Sequence, residues 1–267
     1  MTRRARLDAE LVRRGLARSR EQAAQLVAAG RVRVPGRTAV KPATQVTPAE
    51  PIVVDEPTGE TYVSRGGHKL AGALDAFAGA GLTVEGRRAM DAGASTGGFT
   101  DVLLRRGALS VVCVDVGYGQ LAWSLQTDDR VTVLDRTNVR EIEPAMVGGP
   151  VDLVVADLSF ISLRLVLPAL AGVTGPDGDL VVMVKPQFEV GREALGAGGV
   201  VREPAQRAAA VAGVAAGAPG LGLGVAGVAA SPLPGPAGNV EYFLWLRRGA
   251  PALDPAELER AVAAGPQ

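Results

Sequence analysis

The sequence predicts a doubly wound α/β domain preceded by a small α+β module. Three observations lead there. From residue 65 onward, apolar runs of strand length alternate with stretches of helical periodicity. A glycine-rich turn from Gly93 to Gly98 lies between the first such run and a helical stretch, where sheets of this class hold ligands. Charge also changes sign along the chain. Of 28 basic and 28 acidic residues, eleven and four fall within residues 1–50, which leaves the head at +7 and the rest at −7. With 267 residues, 47% of them hydrophobic and 21% charged, the chain can bury one medium core and one small one.

The first segment is Arg6-Leu7-Asp8-Ala9-Glu10-Leu11-Val12-Arg13-Arg14-Gly15. Leu7, Leu11 and Val12 share one helical face, and Gly15 ends the helix. Ser19 caps a second helix, with Gln22 three residues on as in a capping box. Ala23, Ala24, Leu26 and Val27 supply its apolar face, and Gly30 stops it. Arg31-Val32-Arg33-Val34 alternates as a short strand before the turn Pro35-Gly36, and 46–54 continues as strand to about Asp55. Residues 1–58 form a module of marginal size on its own. Arg3, Arg4, Arg6, Arg14, Arg18 and Arg20 carry much of its positive charge, and such a basic head suits a polyanion.

Residues 59–64 read as a linker, 65–250 as the α/β domain and 251–267 as a C-terminal helix and tail. A helix over 69–78 comes first. Strands follow at 88–91, 110–116, 131–134, 151–157 and 179–185, with helices between most of them, as at 98–105 and 162–170. The runs Val111-Val112-Cys113-Val114 and Leu153-Val154-Val155-Ala156 have no polar face, as expected of strands buried on both sides. After an Ala-rich helix at 203–216 come strands at 221–229 and 239–246. Ser231-Pro232-Leu233-Pro234-Gly235-Pro236 between them is too short for a helical crossover, so this last pair is antiparallel at the sheet edge. Asp254-Pro255 starts a final helix.

Cys113 and His68 are the single cysteine and histidine, so disulfide frameworks, thiolate zinc clusters and two-histidine metal sites are excluded, and no metal is expected. Cys113 reads as core. Residues 208–240 carry no charge until Glu241. They are mostly Ala, Gly and Val, interrupted by Pro219, and read as helix, turn and strand, not a membrane span. The N-terminus lacks the apolar core of a signal peptide, so a cytoplasmic location and no stable membrane association are expected.

The ligand loop is Asp91-Ala92-Gly93-Ala94-Ser95-Thr96-Gly97-Gly98-Phe99-Thr100. Three cofactor classes compete for it. A triphosphate loop requires lysine where Phe99 stands, and Ala94-Ser95 breaks the dinucleotide fingerprint. Asp91 disfavours a pyrophosphate and favours the cationic S-adenosyl-L-methionine. Asp115, followed by Val116 after the second strand, can hold ribose hydroxyls; Asp135 and Asn138, after the third, can meet the adenine; Asp157 ends the fourth. Lys185 ends the strand Val181-Val182-Met183-Val184, Lys69 sits on the preceding helix, and Glu241 opens the last strand. A solvated lysine holds its proton too firmly to act as a base at neutral pH. Partial burial and a second cation loosen that hold. Ordinary salt bridges would use the same residues.

The order Lys69, Asp157, Lys185, Glu241 resembles the Lys-Asp-Lys-Glu tetrad of FtsJ-type ribose 2′-O-methyltransferases. The strings Ser64-Arg65-Gly66-Gly67-His68-Lys69-Leu70, Asp91 to Thr100, Asp115-Val116-Gly117-Tyr118-Gly119-Gln120-Leu121, Asp157-Leu158-Ser159-Phe160-Ile161 and Lys185-Pro186-Gln187-Phe188-Glu189 look like the TlyA family, also called haemolysin-like rRNA methyltransferases. Residues 1–58 are similar to the S4 RNA-binding domain. The resemblance implies a Rossmann-like class I methyltransferase sheet with an antiparallel last strand. It implies methylation of cytidine ribose in ribosomal RNA, with ribosomal subunits as partners and S-adenosyl-L-methionine as cofactor. Only RNA offers the 2′-hydroxyl, so DNA is no substrate. Glu60-Thr61-Tyr62-Val63 departs from the family's Arg-x-Trp-Val linker. The competing functions are a membrane-active haemolysin and a non-catalytic S4-type RNA-binding protein.

Overall fold

The computed structural model describes residues 4–17, 19–28, 30–36, 41–55, 61–191 and 195–266. The chain forms two compact units, Met1–Thr61 and Tyr62–Gln267.

In the first unit, β1 (Ala5–Arg6) runs directly into α1 (Leu7–Arg13). Then come α2 (Arg20–Ala28), β2 (Val32–Arg33), β3 (Gln45–Val46) and β4 (Val53–Val54). Leu7, Leu11, Ala23, Val27, Val32, Val34 and Val46 make its core. Gly15 and Gly30 end the two helices in left-handed conformations, with φ of +72° and +69°. Ser19 Oγ accepts from Gln22 N at 3.1 Å. The strand expected over 46–54 is instead two strands in separate ladders. β3 pairs antiparallel with β1, and β4 pairs antiparallel with β2. Pro48 and Pro51 have no N–H to continue a ladder, and Glu50 N closes a turn onto Thr47 O at 3.1 Å.

Two buried carboxylates organise the arginines of this unit. Asp8 pairs with Arg6 and Arg20, each at 3.0 Å. Glu10 pairs with Arg13 at 2.6 Å and Arg14 at 2.8 Å. Arg14 also donates to the carbonyls of Thr47, Pro48 and Glu50, which locks the turn before β4. Arg4 is exposed, and Arg3 and Arg18 lie outside the described residues.

The second unit runs α3 (Arg65–Ala78), β5 (Arg88–Ala92), α4 (Gly98–Arg105), β6 (Ser110–Val114), α5 (Trp123–Gln126), β7 (Val131–Leu134) and β8 (Val151–Ala156). It continues with α6 (Leu163–Val173), β9 (Thr174–Val184), α7 (Pro186–Glu189), α8 (Pro204–Ala215), β10 (Leu223–Ala230), β11 (Tyr242–Arg248) and α9 (Pro255–Ala264). The strands form one seven-stranded sheet in the order β10-β11-β9-β8-β5-β6-β7. β10–β11 and β11–β9 are antiparallel, and the other pairs are parallel.

Successive strand residues enter opposite cores. Ala89, Val111, Cys113, Leu153, Val155, Val181 and Met183 pack with Leu70, Leu74, Phe77, Val102 and Leu103 of α3 and α4. Met90, Val112, Val114, Val154, Ala156, Val182 and Val184 pack with α6, α8 and α9. Two-sided burial is why these strands read as continuous apolar runs.

Two boundaries depart from the sequence pattern, and one expected stretch folds as read. α3 starts at Arg65, because Gly66 and Gly67 are helical despite their poor propensity; a Cβ on Gly67 would lie within 2.4 Å of Tyr62. β9 starts at Thr174, reaching the glycines and proline of 175–178 through a register shift opposite 151–153. The uncharged stretch at 208–240 folds as the end of α8, a turn, β10 and a loop. Among the described residues, no helix is long and apolar enough to cross a membrane.

The arginines hold both N-terminal carboxyls well below their ordinary range. Asp8 falls to about 2, chiefly through its hydrogen bond from Arg6, and Glu10 to about 2, chiefly through Arg13. Carboxyls lowered on folding stabilise the unit above their unfolded values, and that stability is lost as pH falls toward 2. Carboxyl chemical shifts in the full chain should therefore titrate near 2 for both residues. Midpoints near 4 would show that these pairs do not form in solution.

Candidate active site

The parallel strands end at one edge of the sheet, and antiparallel β11 begins there. Tyr242 of β11 lies opposite Val184 of β9, and Ala156 of β8 opposite Val182. Asp157 and Lys185 directly follow β8 and β9, and Glu241 directly precedes β11 rather than opening it. Lys185 Nζ lies 2.6 Å from Asp157 Oδ1 and donates to Ser159 Oγ at 3.0 Å. Lys69 reaches in from α3 and donates to Glu241 Oε2 at 2.5 Å. Lys69 and Glu241 are 8% and 1% exposed, so this pair is nearly dry; Lys185 and Asp157, at 11% and 24%, stay in touch with solvent. Gly235 makes room for the dry pair, since a Cβ there would lie 2.5 Å from Glu241 Oε1. The four residues singled out in the sequence thus form two lysine–carboxylate pairs. Ser159 was not among them. Its signal is a hydroxyl two residues beyond a strand-end aspartate.

The glycine loop sits beside these pairs. Gly93 has φ +84°, and a Cβ on it would lie 2.5 Å from the Asp157 carbonyl oxygen, so the two strand-end loops meet backbone to backbone. Ala94 is buried, while Ser95 and Thr96 are exposed. Ser95 N donates to Asp115 Oδ2 at 2.8 Å, Gly117 N to Asp115 Oδ1 at 2.7 Å, and Gly119 N to Asp135 Oδ2 at 2.8 Å. These bonds tie the loops after β5, β6 and β7 together, and Val116 stands exposed among them. Ser95, Arg136 and Phe160 all have positive φ, of 46°, 53° and 62°, so the non-glycine backbone strain of the described residues gathers along this edge.

Other candidates also carry structural roles. Gly97 and Gly98 are buried at the start of α4, and Phe99 packs in the core with its ring 6.0 Å from that of Phe243. Asn138 caps the turn 139–141: its Oδ1 accepts from Arg140 N, and its Nδ2 donates to Glu141 Oε1, both at 3.1 Å.

Asp91 is fully buried. Its Oδ2 accepts from Thr100 N at 3.0 Å and Thr100 Oγ1 at 2.7 Å, which fixes the start of α4. The Cys113 thiol lies 3.1 Å from Thr100 Oγ1, whose own hydrogen goes to Asp91, so the thiol donates. Asp91 Oδ1 has no hydrogen-bond partner among the described residues. Burial, with Asp157 and Asp115 nearby, pushes this carboxyl up to about 7. A sheet edge that concentrates three carboxyl groups suits a cationic ligand and repels a pyrophosphate.

A carboxyl raised on folding stabilises the protein below its unfolded value, and that stability is lost as pH rises through about 7. Thermal stability of the ligand-free chain should fall between about pH 4 and 7, and Asp91→Asn should flatten that dependence. An unchanged profile in the variant would place the titration on another group.

Residues 5–52 match the S4 domain, and residues 62–248 match the FtsJ-like methyltransferase. The chain is 60% identical over 272 residues, with 100% of both chains covered, to the 16S/23S rRNA (cytidine-2′-O)-methyltransferase TlyA of Mycobacterium tuberculosis. It is 34% identical over 239 residues to Hemolysin A of Brachyspira hyodysenteriae, covering 89% of this chain and 98% of that one. A solved structure from Streptococcus thermophilus that carries a hemolysin label superposes with a TM-score of 0.77 at 40% identity, over 98% of this chain and 96% of that one. Magnesium protoporphyrin IX methyltransferase from Synechocystis PCC 6803, solved with bound SAH, shares the fold alone, with a TM-score of 0.50 and 15% identity over 72% of this chain and 90% of that one. Motifs, domain order and full-length similarity agree: the chain belongs to the TlyA family, in which an S4 domain precedes an FtsJ-like methyltransferase domain.

Proposed function

We propose that the protein methylates the 2′-hydroxyl of cytidine in ribosomal RNA, with S-adenosyl-L-methionine as donor. The observation that carries this reading is the pair of lysine–carboxylate contacts, Lys185–Asp157 and Lys69–Glu241, beside the glycine loop. The kinship to an rRNA (cytidine-2′-O)-methyltransferase at 60% identity supports the substrate.

The residues present fit the donor. The unpartnered Asp91 Oδ1 and the neighbouring Asp157 and Asp115 suit its positive groups. Asp115 would hold the ribose, with Val116 and Asp135 bordering the adenine. When bound, S-adenosyl-L-methionine supplies an electrophilic methyl group on a sulfonium. Lys185 Nζ, steered by Asp157 and Ser159, receives the hydroxyl proton. Lys69, fixed by Glu241, orients the acceptor oxygen. Alignment of oxygen and methyl accounts for much of the acceleration.

The S4 domain brings basic surface to the RNA. Arg4, Arg6 and Arg20 are its exposed contacts; Arg14, held by Glu10 and three carbonyls, serves by fixing the turn. Ribosomal RNA affinity should fall steeply with salt, and a flat response in a filter-binding titration would remove the S4 domain from phosphate recognition.

The test of the reaction is methyl transfer from labelled donor to ribosomal subunits lacking the modification, followed by nucleoside analysis. The label should appear as 2′-O-methylcytidine. Lys185→Ala should abolish transfer, a loss of at least about 10²-fold, and leave donor binding intact. Label on a base, or full turnover by the variant, would overturn the assignment.

A further inference from the structure

We propose that Glu189 is a positioning residue for the acceptor site, clamping the loop after β8 to the loop after β9. This inference rests on the role proposed for Lys185. Glu189 lies four residues beyond Lys185, at the end of α7, and its side chain is 2% exposed. A buried carboxylate is costly unless its oxygens are satisfied. Both are satisfied across the gap between the loops. Oε2 accepts from Ser162 Oγ at 2.6 Å, and Oε1 accepts from Leu163 N at 2.7 Å, the first amide of α6. The carboxylate thus caps the N-terminus of an eleven-residue helix that it does not belong to. Arg164 reinforces the joint by donating to the Glu189 carbonyl at 3.2 Å.

The segment between these anchors holds everything that touches Lys185 from the β8 side. Asp157 and Ser159 both contact Nζ. Phe160, at φ +62° and 92% exposed, is held in an unfavourable backbone conformation, with its ring 5.3 Å from that of Phe188. A five-residue loop carrying such strain relaxes unless both ends are fixed. β8 fixes one end and Glu189 fixes the other. Releasing the clamp lets Asp157 and Ser159 drift from Lys185, so Nζ loses its aim while the glycine loop stays as it was.

The test uses the full chain, ribosomal subunits lacking the modification, and donor binding by calorimetry. Glu189→Ala should lower kcat about 10- to 100-fold, since displacement of about 1 Å has that effect, with donor Kd and KM for the subunits unchanged. Glu189→Gln should recover activity to within about threefold, because its amide can accept from Leu163 N and donate to Ser162 Oγ. Ser162→Ala, which removes the Oγ contact to Glu189 and the bonds Ser162 Oγ accepts from Arg164 but leaves the Leu163 amide on Glu189, should fall between, and it carries the test if Glu189→Ala does not fold. Wild-type kcat in both Glu189→Ala and Ser162→Ala overturns the clamp, as does a loss of donor affinity matching the loss of kcat. Lys185→Ala is measured alongside. If it retains turnover, the base assignment fails; if it is inactive and the clamp variants are unimpaired, the clamp alone fails.

Discussion

The antiparallel return of β11 is the constraint on which the catalytic edge depends. Asp157 and Lys185 follow their strands, whereas Glu241 precedes its own, so the three meet only because β11 runs backwards beside β9. A parallel strand of that length would carry Glu241 to the far edge, roughly 20 Å away. The register is held from both sides of the sheet. Tyr242 enters one core and Phe243 the other, so a slip of one residue would exchange them and turn Glu241 away from Lys69.

Both units use carboxylates that are buried or partly buried to aim cations. Asp8 and Glu10 fix four guanidiniums around the first two helices, and Asp157 and Glu241 fix two ammoniums at the sheet edge. Burying an ion pair seldom adds much net stability, because desolvation offsets the attraction. What such a pair supplies is direction. In the N-terminal unit it decides which arginines stand outward and which, like Arg14, brace the backbone. At the sheet edge it removes the freedom of two long side chains before any RNA arrives.

The strand positions, the antiparallel last pair and the four strand-end and helix residues were legible because they rest on long-range patterns: apolar runs without a polar face, and charged residues at the ends of those runs. What the sequence concealed was local competition for hydrogen bonds. Asn138 carries the chemistry to meet an adenine, yet the adjacent turn offers it an amide two residues away, and it caps that turn. Phe99 belongs to a ligand-loop motif but lies on the inward side of α4. The strand expected at 46–54 fails because two prolines interrupt its donors. Ser159 and Glu189 stand in the motif strings, but no periodicity assigns a role to a loop serine or to the last residue of a four-residue helix. Their importance comes from what crosses the gap to meet them.

Cys113 is the chain's only thiol, and it is sealed behind Thr100 with its ionisation pushed up to about 12. It is therefore inert toward maleimides and mild oxidants at neutral pH. A cysteine introduced at an exposed position would be the sole reactive handle on the molecule. The natural sequence can accept a single fluorophore or spin label without first being stripped of competing thiols.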